Sequence, residues 1–99
     1  MARKIRWSIL ASEQFEETLR FWSSSQTANY SKLLFSETIK ITNLLTKFPS
    51  IGRRTNQQSI RRVLVDKKYA IYYYYDNSII DIKLWRSLRM NPEENEYET

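Results

Sequence analysis

The sequence contains no cysteine and no histidine, one glycine and two prolines in 99 residues. Each absence narrows the chemistry. Without cysteine there are no disulfides and no thiolate nucleophile. Without cysteine and histidine the usual zinc ligand sets cannot be built, and the commonest general base is missing. Acid–base work would have to fall to Tyr, Lys, Arg or carboxylates. The scarcity of glycine and proline predicts short, few loops. No apolar run approaches the roughly 20 residues of a membrane span, and the stretch from Met1 to Leu10 lacks the apolar centre of a secretory signal. These features predict a soluble, cytoplasmic chain without a membrane partner, a metal or a small-molecule cofactor.

What is present suits one folded domain over residues 1–99. Hydrophobic residues make up 41% and aromatics 14% of the chain, enough for a single modest core at this length. The formal net charge is +5, and it is unevenly placed. Arg53, Arg54, Arg61, Arg62, Lys67 and Lys68 crowd between residues 52 and 68 against one acid, Asp66, whereas Glu93, Glu94, Glu96 and Glu98 fill the C-terminal tail. A basic middle suits an acidic or polyanionic partner, and it suits equally a merely solvated face. The tail, about residues 93–99, reads as a candidate for disorder.

Hydrophobic periodicity gives the element order. Lys4 to Leu10 alternates Ile5, Trp7 and Ile9 with polar residues, the period of a half-buried strand. Ser12 reads as the N-cap of a helix whose apolar face carries Phe15, Leu19 and Trp22, with Ser23-Ser24-Ser25 ending it. A second helix is predicted from about Asn29 to Lys47, capped by Asn29 or Thr27. Its buried stripe is Leu34, Ile41, Leu45 and Phe48, flanked by Tyr30 and Leu44, with Thr38, Lys40 and Lys47 exposed. Pro49 cannot extend that helix, and Gly52 is the residue free to turn left-handed. A polar loop, RRTNQQS, follows. Three strands close the chain: Ile60 to Val65, Tyr69 to Tyr75 and Ile79 to Trp85. The turns Asp66-Lys67-Lys68 and Asp76-Asn77-Ser78 join them into an antiparallel meander. In the middle strand Tyr69, Ile71, Tyr73 and Tyr75 share one face, and Ala70, Tyr72 and Tyr74 the other. The fold class is therefore α+β: an N-terminal strand, a helical hairpin and a three-stranded meander in one sheet, with the helices on one face. Periodicity leaves open where the first strand joins.

No phosphate loop, nucleophile elbow or metal-ligand spacing stands out. The chemistry that remains is basic residues beside tyrosine: Arg61, Arg62, Lys67, Lys68, Arg86 and Arg89 flank Tyr69 to Tyr75. Guanidinium groups clamp phosphates and stack on bases. Such a set could bind nucleic acid, help cleave RNA without histidine, or meet an acidic protein. Tyrosine is also a favoured strand residue, so the run has a purely structural reading, and Arg86 and Arg89, just past a strand end, could simply pair with the acidic tail.

The ordered series Trp7 in an opening strand, helical hairpin, FPSIG (Phe48 to Gly52), IRR (Ile60 to Arg62), YAIYYYY (Tyr69 to Tyr75), IIDIKLW and RSLRMNP (Arg86 to Pro92) resembles the RelE/ParE family of bacterial toxins over nearly the whole chain. The resemblance implies the toxin of a type II toxin–antitoxin, plasmid-stabilisation type module. Such a toxin inhibits growth until a cognate antitoxin protein wraps its apolar and basic surface. Arg53, Arg54, Arg61, Arg62, Lys67, Lys68, Arg86 and Arg89 would then meet the target or the antitoxin. RelE-like members cleave messenger RNA on the ribosome, and ParE-like members poison DNA gyrase. Arg61 or Arg62, Arg89 and, loosely, Tyr97 match the nuclease branch. Ala70, where an arginine would stand, and the lack of a His-Tyr ending depart from it. FPSIG followed by paired arginines favours the ParE-like branch and gyrase. A relic that only binds its antitoxin is a third expectation.

Overall fold

The computed structural model describes residues 3–24, 26–89 and Tyr97. The expectations for Ser25 and for the acidic tail residues Glu93, Glu94, Glu96 and Glu98 fall outside these. Strand β1 is Lys4–Trp7, helix α1 Ile9–Trp22 and helix α2 Ala28–Lys47. A short 3-10 turn, Pro49–Ile51, leads into β2 (Arg53–Arg54), β3 (Arg61–Val65), β4 (Tyr69–Tyr75) and β5 (Ile79–Ser87). The sheet order is β1-β5-β4-β3-β2. The meander is antiparallel, and β1 adds parallel to β5 at its outer edge, with Ile5 beside Ile80. A parallel neighbour requires a crossover, which the helical hairpin supplies.

The first strand is shorter than its alternation suggests. Ser8 leaves the strand with its N–H donating to Ile82 O, and its Oγ accepts from Ala11 N at 3.0 Å. Ser8, not Ser12, is therefore the N-cap. Ile9 falls on the helix instead of the strand, 80% exposed. In α2, Thr38 is fully buried, contrary to expectation, because its Oγ1 donates back to Leu34 O at 2.8 Å. That bond removes the cost of burying the hydroxyl. Phe48, expected in the buried stripe, lies beyond the helix end and is exposed. Thr27 occupies the cap position. Its hydroxyl donates instead to Trp22 O at 2.6 Å, tying the two helices together.

The helices cover one sheet face. Ala11, Phe15, Leu34 and Leu45 pack on Val65, Tyr69, Ile71, Tyr73, Ile80, Ile82 and Trp85. Trp85 lies 4.6 Å from Phe15 and stacks on Tyr69 at 5.1 Å, ring centre to ring centre. Its indole donates to Thr18 Oγ1 at 2.9 Å. The alternation read along β4 holds, although the β4–β5 register slips between Tyr72 and Tyr73. The slip leaves Lys83 without a partner on β4, the signature of a bulge.

The other face carries a smaller core of Ile60, Ala70, Tyr72 and Leu84, closed by Tyr74 and Tyr97.

Part of the expected polar loop is strand. Arg53 and Arg54 pair antiparallel with Arg62 and Arg61. Gly52 makes this possible by its lack of a side chain, since its φ of −69° is not left-handed. Tyr73 Oη donates to Pro49 O at 2.6 Å and accepts from Gly52 N at 3.0 Å. A Cβ on Gly52 would stand 2.5 Å from that oxygen.

Candidate binding surfaces

The pleat of β3 sends its paired arginines to opposite faces. Arg61 lies opposite Tyr73, on the helix-covered face, and Arg62 opposite Tyr72, on the open face. Arg61 Nη1 donates to Gly52 O at 2.8 Å and Ser50 O at 3.1 Å. Arg61 therefore pins the 3-10 turn to the sheet beside Tyr73. Burial raises the Tyr73 hydroxyl above its ordinary range, with the Gly52 N–H and the Arg61 charge pulling the other way. It stays a protonated, structural donor.

The eight basic residues singled out from the sequence divide between two ends of the sheet. Arg53, Arg54, Arg61 and Arg62 sit at the β2–β3 end. Arg54, Arg61, Tyr74 and Tyr75 border a shallow cleft of about 330 Å³ there. Lys67 and Lys68 lie in the β3–β4 turn, and Arg86 and Arg89 lie near the end of β5, which Leu88 N ties to Lys68 O at 2.9 Å. Arg86 is opposite Ala70 inside β5, not past the strand as expected, because pairing continues to Ser87. At this end two adjoining clefts of about 390 and 360 Å³ share Phe21, Tyr69 and Ser87. Trp85, Leu88 and Phe21 give them apolar walls, Glu17 an acidic point, and Lys67, Lys68, Arg86 and Arg89 a basic rim. Phe21 is 72% exposed, an unusual position for a large aromatic side chain.

The turn at this end is strained. Asp66 and Lys67 both take positive φ, 53° and 56°, the conformation of a two-residue hairpin turn that favours Asn or Asp followed by Gly. Tyr30 Oη donates to Asp66 Oδ2 at 2.8 Å, and Lys68 Nζ lies 4.8 Å from the centre of the Tyr30 ring. Burial, then the bond to Asp66, pushes the Tyr30 hydroxyl far up.

The four residues matched to a nuclease do not meet at one point. Arg62 and Tyr97 share the open face, where Tyr97 stacks on Tyr72 with ring centres 5.6 Å apart. Arg61 is on the other face, and Arg89 lies past the end of β5. Guanidinium groups keep their proton in proteins, so the arginines can neutralise a phosphate but cannot accept a proton from a hydroxyl.

Sequence reading did not single out Arg6, Asp81 and Lys83. Asp81, opposite Tyr74, accepts from Arg6 at 3.0 Å and pairs with Lys83 at 2.9 Å. Burial pushes its carboxyl up, but the bonds and charges of Lys83 and Arg6 outweigh this and hold it below the usual carboxylate range. An acid within the apolar run IIDIKLW was the available signal. Phe21 and Leu88 were also missed, since exposure of an apolar residue leaves no mark in its own periodicity. Among the described residues no group of acidic side chains is arranged to hold a metal ion. No helix there is long and apolar enough to cross a membrane.

Geometry therefore defines a small α+β domain whose described surface is basic and apolar at the two ends of the sheet. A scan of protein families finds no match, and no curated protein matches. Among solved structures the chain is similar to one from a chromosomal ParDE TA system of P. aeruginosa, with a TM-score of 0.71 at 8% identity, covering 89% of this chain and 98% of that one. At that identity the likeness is one of fold, and the chain has the RelE/ParE-like fold.

Proposed function

We propose that this chain is the toxin of a toxin–antitoxin pair, that an antitoxin segment neutralises it, and that it acts by binding DNA gyrase instead of cutting RNA. The observation that carries this reading is the shape and charge of the β5 end. Exposed Phe21 and Leu88 stand beside Lys67, Lys68 and Arg89 in clefts suited to an acidic segment with apolar anchors. The likeness of fold to a ParDE TA system structure agrees with it. Binding is favoured over cleavage because Arg61 is spent on the Ser50 and Gly52 carbonyls and Arg89 stands apart from Arg62. A ribosome-dependent messenger RNA endoribonuclease is the second reading, favoured by Arg62, Tyr72 and Tyr97 sharing one face. The test is growth of bacteria after induction of this chain alone, with messenger RNA and chromosomes followed together. Arrest with damaged chromosomes and intact messages is expected. Early cleavage of translated messages would select the second reading. No arrest by soluble protein would leave only an antitoxin-binding relic.

A further inference from the structure

Tyr69 stands where the two clefts at the β5 end meet. It is 9% exposed, and its ring stacks on Trp85. Its oxygen accepts from Trp22 Nε1 at 2.7 Å. Among the described residues that indole is its one hydrogen-bond partner, so the hydroxyl proton is left to donate. A hydroxyl placed this deeply seeks an acceptor in the space it faces. The rings around it hold that donor in place. Trp22 meets Phe21 edge-on at 5.0 Å and Tyr30 edge-on at 4.8 Å, ring centre to ring centre. Lys68 Nζ sits over the Tyr30 ring, and Leu88 N holds Lys68 O. Charge is graded along the groove. One cleft carries Glu17, and the cleft on the turn side carries Lys67, Lys68 and Arg89. Asp66, in the same turn, accepts from Tyr30 Oη.

We propose that the turn-side cleft is a carboxylate site. It takes an Asp or Glu side chain from within a partner protein's chain, with an apolar neighbour of that residue against Phe21 and Leu88. Tyr69 Oη donates to the carboxylate, and Lys67, Lys68 and Arg89 neutralise it. This site rests on the reading of the β5 end as a partner-binding surface, to which it adds the residue that selects the partner's acid. A carboxylate fits because it only accepts, whereas everything polar that faces it donates: three cations, and a hydroxyl whose oxygen Trp22 already occupies. The two clefts adjoin at Tyr69, so a segment runs past the hydroxyl, which selects a side-chain carboxylate over a chain terminus. Glu17 repels an acid from the other cleft and fixes where along the groove the carboxylate sits. Trp22, Tyr69 and the carboxylate then form a line of hydrogen bonds in which each polarises the next.

The test uses the full chain and two end-blocked pentapeptides, Ser-Phe-Glu-Leu-Ser and Ser-Phe-Gln-Leu-Ser. Binding is followed at low salt by nuclear magnetic resonance of the indole N–H groups, one for each of the three tryptophans. The Trp22 signal is the one lost in Trp22→Phe. The glutamate peptide should bind about tenfold more tightly than the glutamine peptide, and only the glutamate peptide should move the Trp22 proton downfield. Tyr69→Phe keeps the ring on Trp85 and should remove most of the preference. Lys67→Gln with Arg89→Gln should reduce it too, and added salt should narrow it. Equal affinities for the two peptides, or a preference unaltered in Tyr69→Phe, would overturn the carboxylate site and leave the groove as a partner surface. Failure of both peptides to bind would overturn the site and that surface together. If Tyr69→Phe fails to fold because Trp22 loses its acceptor, the parent and the Lys67→Gln, Arg89→Gln chain decide. A Trp22 signal that moves equally with both peptides, or a preference unchanged without the two cations, then overturns the proposal. Toxicity plays no part in the readout.

Discussion

Replacing Gly52 by alanine should destabilise the protein through one atom. The added methyl would lie 2.5 Å from Tyr73 Oη, 2.9 Å from Tyr73 Cε1 and 2.9 Å from Arg62 O. The backbone at Gly52, φ −69° and ψ 151°, suits alanine, and the lower entropy of the unfolded chain favours it by about 0.4–1 kcal/mol. Overpacking opposes this by roughly 1–3 kcal/mol. Moving the Tyr73 hydroxyl also weakens its bonds to Gly52 N and Pro49 O, each worth about 1 kcal/mol net. The expected net loss is about 2–3 kcal/mol. Tyr73→Phe removes the hydroxyl and leaves the buried Gly52 N–H without its acceptor, a loss of about 2 kcal/mol. In the double variant the methyl enters the space the hydroxyl held. The two losses should then fall short of additivity by at least about 1 kcal/mol. Equilibrium urea unfolding of the four proteins measures this, with equal slopes as the check that one transition is compared. A Gly52→Ala loss below about 0.5 kcal/mol, or an additive double variant, would refute the argument that close approach, not backbone freedom, selects glycine here.

Lys67→Gly should stabilise the hairpin turn by about 0.5–1 kcal/mol, since Lys67 sits at φ 56° where glycine meets no Cβ penalty; a thermal midpoint that falls would contradict this. Asp81→Asn should cost about 1–2 kcal/mol at neutral pH, the scale of hydrogen bonds to charged groups, discounted because the Arg6 side chain is 65% and that of Lys83 40% exposed. Because the Asp81 carboxyl is held below its unfolded value, its contribution is full above the unfolded value, about 3.9, and is lost as pH falls through the lower folded value. Urea midpoints of parent and Asp81→Asn should therefore converge in acid, and a constant gap down to pH 2 would count against the assignment. On the proposed toxin reading, Phe21→Asp with Arg89→Glu should weaken binding of an antitoxin to this chain by more than about tenfold, measured by calorimetry, with the urea midpoint nearly unmoved because Phe21 is exposed.

Strand alternation and helix periodicity carried the architecture, because the main core obeys them: Tyr69, Ile71 and Tyr73 face the helices as their spacing predicts. Local chemistry decided the misses. Ser8 and Ser12 are both plausible caps by composition. The choice fell to Ser8 because Ile82 O captures its N–H as the strand ends, a long-range bond invisible along the chain. Thr38 reads as polar and exposed until its bond to Leu34 O is seen. The two-residue strand Arg53–Arg54 is too short for periodicity to register. The basic residues were legible as a composition. Their division between two sheet ends was not, since it follows from register.

The proposed reading is that this chain poisons gyrase by contact and does not cut messages. Purified, folded protein added to purified gyrase and relaxed plasmid tests it most directly, with antitoxin-bound protein as the control. The account predicts that the free chain blocks supercoiling and that the bound chain does not. Unimpaired supercoiling by folded chain at excess, together with cleavage of ribosome-bound message by the same preparation, would contradict it.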